Sequence, residues 1–188
     1  MRAVLLLALL AGCASPQPNF YTLASVPGVA RPTEAQPTVA RAVELRRIGL
    51  AGYLDRPEIV RDNGNYQVNF HDTDRWAEPL GTLIERVFTE DLVERLPGTS
   101  VYSESGAIST DPDLVVEIDV QRLDPIAGQA VLLAQIAVRP GREKTSRTAR
   151  AETVRLTMPA GTTTRDLAAA ESALLGQLAD AVAARVAG

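Results

Sequence analysis

Two alternating runs, at 113–123 and 129–139, constrain what this chain can fold into more than any other feature. In the first, Leu114, Val116, Ile118 and Val120 alternate with Val115, Glu117, Asp119 and Gln121. Successive side chains of a strand point to opposite faces, so this pattern predicts a half-buried strand. The second run places Ala130, Leu132, Ala134, Ile136 and Val138 on one face. The spacer 124–128 holds Pro125 and Gly128, which suits a tight reversal, and the two runs should pair antiparallel. After a polar turn over 140–146, the run 147–158 predicts a third strand, with Arg147, Ala149 and Ala151 ahead of Val154, Leu156 and Met158. Pro159-Ala160-Gly161 ends it.

Two helical stripes accompany these strands. Leu80, Leu83, Ile84, Val87, Phe88, Leu92 and Leu96 recur at three- and four-residue spacing, with Glu85, Arg86, Glu90, Asp91, Glu94 and Arg95 expected on the outside. Pro79 suits the first turn, and Pro97-Gly98 stops the helix. Thr163 and Asp166 resemble a capping box. It opens a second helix from about Thr164 to Val186, with Leu167, Ala170, Leu174, Leu178, Ala181 and Val182 inward. Shorter strands are expected over 19–23, where they would add to a sheet edge, over 39–50 and over 100–103. A hairpin is expected to pair Glu58–Arg61 with Tyr66–Phe70 around the turn Asp62-Asn63-Gly64-Asn65. The fold class that buries both stripes is α/β of the α+β type, a mainly antiparallel sheet with two helices packed on one face.

Arg2 precedes an unbroken apolar run, Ala3 to Ala11, which closes on Leu10-Ala11-Gly12-Cys13. A positive flank, a short apolar core and small residues before a cut describe a secretory leader, and the core is too short to span a bilayer. Leu10-Ala11-Gly12-Cys13 resembles a bacterial lipobox, which implies that Cys13 becomes the acylated first residue. Multiple acylation holds a protein lastingly. Ala14 and Ser15 follow with no Asp that would resemble an inner-membrane retention signal, which favours the periplasmic face of the outer membrane. The organisation is then a leader at 1–12, a lipidated N-terminus and tether at 13–37, and one domain at 38–188.

The formal net charge is −4, and loss of Arg2 with the leader makes it one unit more negative. A mixed, acidic surface argues against nucleic acid and against a polybasic membrane patch, so attachment rests on the lipid. Cys13 is the sole cysteine. With it acylated, no thiol remains for a disulfide, a zinc–thiolate site or a nucleophile. No GxSxG, HExxH, phosphate loop or CxxC occurs, and no cofactor is called for. His71, Asp72 and Asp74 form the one cluster of mixed character, and Asp72 or Asp74 reads as a cap or turn acceptor rather than as part of a metal or acid–base site. A triad of His71 with Ser103 or Ser105 has nothing to support it.

The segment 53–80 gathers the only Trp, the only His and a dense set of charges at the junction of hairpin and helix. Trp76 is expected to pack under the hairpin, with Arg75 and Glu78 bracing the same turn and Asp55 and Arg56 fixing the loop before Pro57. Cys13, Phe20-Tyr21-Thr22-Leu23, Tyr53-Leu54-Asp55-Arg56-Pro57-Glu58-Ile59-Val60 and Arg75-Trp76-Ala77-Glu78-Pro79-Leu80 occur in this order and spacing. The set resembles the ABC-type transport auxiliary lipoprotein family, the PqiC-like periplasmic lipoproteins. Leu50-Ala51-Gly52 departs from it where the family often has a proline.

That resemblance implies an α/β lipoprotein, not an enzyme, working in lipid movement between membranes beside an MCE-domain protein, a permease and an ATPase. Tyr53, Asp55, Arg56, Arg75, Trp76 and Glu78 are the candidates for docking such a partner, and a homo-oligomer stays open. The alternative reading is a lipid-anchored binding module that itself holds a lipid or envelope polymer, which would need a concave, largely apolar cavity.

Overall fold

The computed structural model describes residues 16–28, 40–108, 110–141 and 150–187. The leader, Cys13, the tether over 29–37, Val39 and the residues 142–149, with Arg147 and Ala149, lie outside the described residues. The elements are β1 (Asn19–Tyr21), β2 (Ala42–Leu45), β3 (Gly49–Leu50), β4 (Glu58–Gly64), β5 (Gln67–Trp76), α1 (Leu80–Arg95), β6 (Ser100–Ser103), β7 (Leu114–Ile126), β8 (Gln129–Pro140), β9 (Glu152–Pro159) and α2 (Thr164–Ala187).

The class is α+β, as expected, but the strands divide between two sheets. The main sheet runs β6-β2-β7-β8-β9, with β3 also on β7, and the hairpin sheet runs β1-β5-β4. The long strands β7, β8 and β9 pair antiparallel. By contrast β2 lies parallel to both β6 and β7, β3 parallel to β7, and β1 parallel to β5. These parallel pairs join elements remote in sequence, which alternation along one strand does not encode. The strand expected over 39–50 is split in two, with Arg46 donating its amide to Val116 O at the break.

Two turns sit later than the residue types suggest. Strand β4 continues through Asn63 and Gly64, and the left-handed positions fall on Asn65 (φ 51°) and Tyr66 (φ 63°). Asn63 stays in the strand because its side-chain amide donates to Asp124 at 2.6 Å. Strand β7 likewise runs through Pro125 to Ile126, and the turn is Ala127-Gly128 (φ 48° and 77°). Beyond Val120 the only ladder partner of β7 among the described residues is β8, so a residue without an amide hydrogen is tolerated there.

Helix α2 is capped as its sequence predicts. The Asp166 amide donates to Thr163 Oγ1 at 3.1 Å, and the Thr163 amide donates back to Asp166 Oδ2 at 3.0 Å. By length and composition α2 could cross a membrane, yet Leu174, Leu175, Leu178, Ala179 and Val182 are all fully buried in the core. It lies along β7, β8 and β9 and against α1, which also packs on β6. Helix α1 buries its predicted stripe and more. Glu85 and Asp91 are buried, and Arg95 is nearly so, which corrects the expectation that all three face outward.

The reason lies in the neighbours they serve. Asp91 Oδ1 accepts the Ser25 hydroxyl at 2.8 Å and the Val26 amide at 2.9 Å, while Arg95 donates to Val26 O at 3.1 Å and to Asp180 at 2.8 Å. Together with the Ala24 amide on Ser172 Oγ, these bonds lay residues 23–28 as a strap across both helices, with Leu23 fully buried beneath it. A Cβ at Gly176 would meet Val26 Cβ at 3.2 Å, so a glycine lets the strap approach α2.

A fully buried carboxylate, Asp124, joins the two sheets. Its Oδ2 accepts the Tyr53 hydroxyl at 2.5 Å and the Asn63 amide, and its Oδ1 accepts Arg122 at 3.1 Å. Across from it on α2, Glu171 is also buried, and its Oε2 has no hydrogen-bond partner among the described residues. Burial, reinforced by the Asp124 charge, pushes the Glu171 carboxyl well above the usual range. A carboxyl raised in the folded state binds protons more tightly there than when unfolded, so stability falls as pH rises through that window. Replacing Glu171→Met should flatten this slope and stabilise the neutral-pH protein by roughly 1–3 kcal/mol. Urea melts across pH for both proteins check it; parallel stability profiles would remove Glu171 as the source.

Candidate docking surface

The loop between β3 and β4 is pinned from two sides. Ala51 donates its amide to Val120 O, Leu54 is buried, and the Tyr53 ring turns into the body of the domain to reach Asp124. Burial and then the Asp124 hydrogen bond push the Tyr53 hydroxyl far above the ordinary tyrosine value, so it remains a donor at physiological pH. What this loop leaves in solvent is Gly52 and the run Asp55, Arg56 and Pro57.

Strand β5 carries the second half of the candidate set. The Trp76 amide donates to Pro57 O at 2.8 Å and the Ala77 amide to Tyr21 O at 2.8 Å, so the base of the hairpin is tied to both flanking segments. Trp76 itself is only 5 % exposed and belongs to the core. Arg75 spends its guanidinium on the backbone, donating to the carbonyls of His71, Asp72 and Asp74 at 2.9–3.0 Å. It also faces Glu58 at 3.7 Å, and Arg56 reaches the same carboxylate at 3.2 Å. Glu58 therefore brings Arg56 and Arg75 together.

Arg56 also lies over the Phe70 ring, 4.2 Å from its centre. At a partly exposed site such a contact is worth about 0.5–1 kcal/mol, and the Arg56–Glu58 pair contributes no more. The Arg56 side chain remains 44 % exposed, so it is held in position while still facing water. Glu78 sits apart from this group and pairs with Arg86 of α1 at 3.0 Å.

Sequence reasoning missed Glu58 and Phe70 as members of this surface. Glu58 was visible as the next charge after Arg56. Phe70 was not, because irregularities between Glu58, Val60 and Asp62 shift the β4–β5 register. Within the 71–74 cluster His71 and Asp74 come together on α2, while Asp72 is exposed: Asp74 is buried and, rather than capping a turn, accepts the Asn19 amide at 2.9 Å and the Thr164 hydroxyl, with His71 Nδ1 3.6 Å away and His71 Nε2 3.4 Å from Thr164 Oγ1. Burial alone would raise Asp74, but the Thr164 and Asn19 bonds and the nearby imidazole hold it below the ordinary range. Ser105 donates to Glu85, and no hydrogen bond links either Ser103 or Ser105 to His71 among the described residues.

A shallow cleft of about 350 Å³ lies elsewhere, lined by Arg46, Arg47, Glu117, Asp119 and Gln135 beside Ile118 and Ile136. Gly49, Ala137 and Ala151 complete a wall in which charged and apolar groups are mixed.

Comparison with solved structures places the fold. A crystal structure of an uncharacterized protein matches with a TM-score of 0.73 at 14 % identity, covering 91 % of this chain and 99 % of that one. A Xanthomonas campestris protein of the DUF330 family matches with a TM-score of 0.69 at 19 % identity, over 89 % of this chain and 95 % of its own. At these identities the likeness concerns the fold alone. Among curated proteins none matches the chain. The family profile described as ABC-type transport auxiliary lipoprotein component matches residues 21–183, from the last residue of β1 into the final turns of α2. Both halves of the candidate surface fall inside that span, and the chain belongs to the ABC-type transport auxiliary lipoprotein family.

Proposed function

We propose that this protein is a non-catalytic accessory component of an ABC/MCE-type intermembrane lipid transport system, anchored through Cys13 at the periplasmic face of the outer membrane. It acts by docking the MCE-domain partner, which the permease and ATPase serve from the other membrane. The observation that carries this reading is the exposed Arg56, fixed between Phe70 and Glu58 where the two family motifs meet. Arginine held in a preset geometry binds with little further loss of side-chain freedom and offers several directed donors. In this arrangement Asp55 and Arg56 present the surface, Tyr53, Arg75 and Trp76 set its shape from beneath, and Glu78 lies apart on its ion pair with Arg86.

Two substitutions separate docking from support. Arg56→Ala should leave the melting temperature nearly unchanged and weaken capture of the MCE partner by at least about tenfold, or roughly 1.4 kcal/mol. Trp76→Ala should instead lower stability by about 3–5 kcal/mol, as large buried aromatics do. Titration of the partner beside a thermal melt checks both. Parent-like binding by the Arg56 variant would move the docking site elsewhere on the domain.

Acylation is tested separately. Intact mass of the membrane-extracted protein should correspond to a chain beginning at Cys13 with its acyl groups, and Cys13→Ser should release the chain from the membrane fraction. A processed, unmodified Cys13 would overturn the anchor.

A further inference from the structure

We propose that the β4–β5 hairpin tip is the membrane-facing end of the domain, with Tyr66 seated among phospholipid headgroups beside the lipid anchor. This rests on the acylation of Cys13 and goes beyond it by assigning an orientation and a contact.

Direction comes from the ladder. Strand β1 runs parallel to β5 with Asn19 beside Asp74, so the N-terminal end of β1 faces the tip of the hairpin rather than its base. Along β5 the tip at Gln67 lies seven residues from Asp74, roughly 23 Å at the strand rise. Cys13 precedes Asn19 by six residues, a reach of at most roughly 21 Å when fully extended. An acyl group on Cys13 therefore cannot enter a bilayer much farther from Asn19 than the hairpin tip already extends. The short tether draws that end of the hairpin sheet onto the lipid surface.

The tip has the chemistry for such a place. Tyr66 is fully solvent-exposed, at 111 % of its reference area, and it occupies a left-handed backbone position, φ 63°, that a bulky aromatic seldom takes. An aromatic ring held out from the fold on a strained turn has no packing role to explain it, and observed strain of this kind is a pointer to function. Tyrosine combines an apolar ring with a polar tip and concentrates at the headgroup level of membranes. Its neighbours Asn65 and Gln67 are exposed and uncharged, and the nearest charges, exposed Asp62 and Arg61 on the β4 arm, are of opposite sign. The Arg56 surface, toward the base of the hairpin, is then held clear of the bilayer and open to a partner.

The test uses full-length acylated protein on vesicles of phosphatidylethanolamine and phosphatidylglycerol. Because the Cys13 thiol is acylated, Gln67→Cys and Asp111→Cys each give one site for a nitroxide label. Asp111 precedes β7, which runs roughly 40 Å to the Asp124 end that contacts the hairpin. The label at 67 should collide with a water-soluble nickel chelate at least roughly threefold less often than the label at 111, as expected of a group at the headgroup boundary. Tyr66→Asn, which suits the left-handed turn, should abolish that protection without lowering the melting temperature. Equal collision rates at the two sites, protection that survives Tyr66→Asn, or the same protection in a Cys13→Ser chain free in buffer would each overturn the proposal. Failure of the parent protein to float with the vesicles would instead overturn the anchor, and this orientation with it.

Discussion

The structure depends on one carboxylate. Asp124 is buried completely, and its two oxygens collect donors from the 51–57 loop, the tip half of β4 and its own strand. A buried charge survives only when its lone pairs are satisfied, and removing it would leave three donors without a partner. Asp124 is thus the polar joint between two sheets that also share one apolar core, to which the hairpin contributes Ile59, Val60 and Trp76. It also gives Tyr53 its place: the hydroxyl is committed inward, and that commitment sets the course of the backbone that presents Asp55 and Arg56. The neighbouring Glu171 is the cost of this arrangement, a second carboxyl in the same interior whose Oε2 has no donor among the described residues.

The helices show what local sequence carries. Pro79 and Pro97-Gly98 bound α1, the Thr163–Asp166 box opens α2, and both apolar stripes are buried. These signals act within a turn or two of chain, and so they are legible without knowing the neighbours. The β7–β8 pairing is legible for the same reason, since a short reversal joins the strands and alternation gives the face.

What stayed hidden depends on contacts between distant segments. Asp91 and Arg95 carry the spacing of an outer helical face, and they are buried because residues 24–28 cross over them. Asp62-Asn63-Gly64-Asn65 has the composition of a turn, yet Asn63 is held in the strand by a residue sixty-one positions away. The parallel pairs of β1, β2 and β3 join segments with no adjacent reversal to reveal them. The candidate surface is intermediate: its residues were visible as a motif, but the bridging of Arg56 and Arg75 by Glu58 required the register.

The route of the N-terminal strap has a mechanical consequence. A pull on residues ahead of Asn19, directed toward the hairpin tip, runs along the axis of β1 and loads its parallel ladder with β5 in shear. All the rungs then share the force at once, whereas a pull across the sheet would open them one by one as a zipper. Behind the ladder the same line of force reaches Leu23 in the core and the Asp91 and Arg95 bonds that clamp the strap to α1 and, through Asp180, to α2. A load applied in that direction is therefore spread over both helices and a strand pair before any single bond must break.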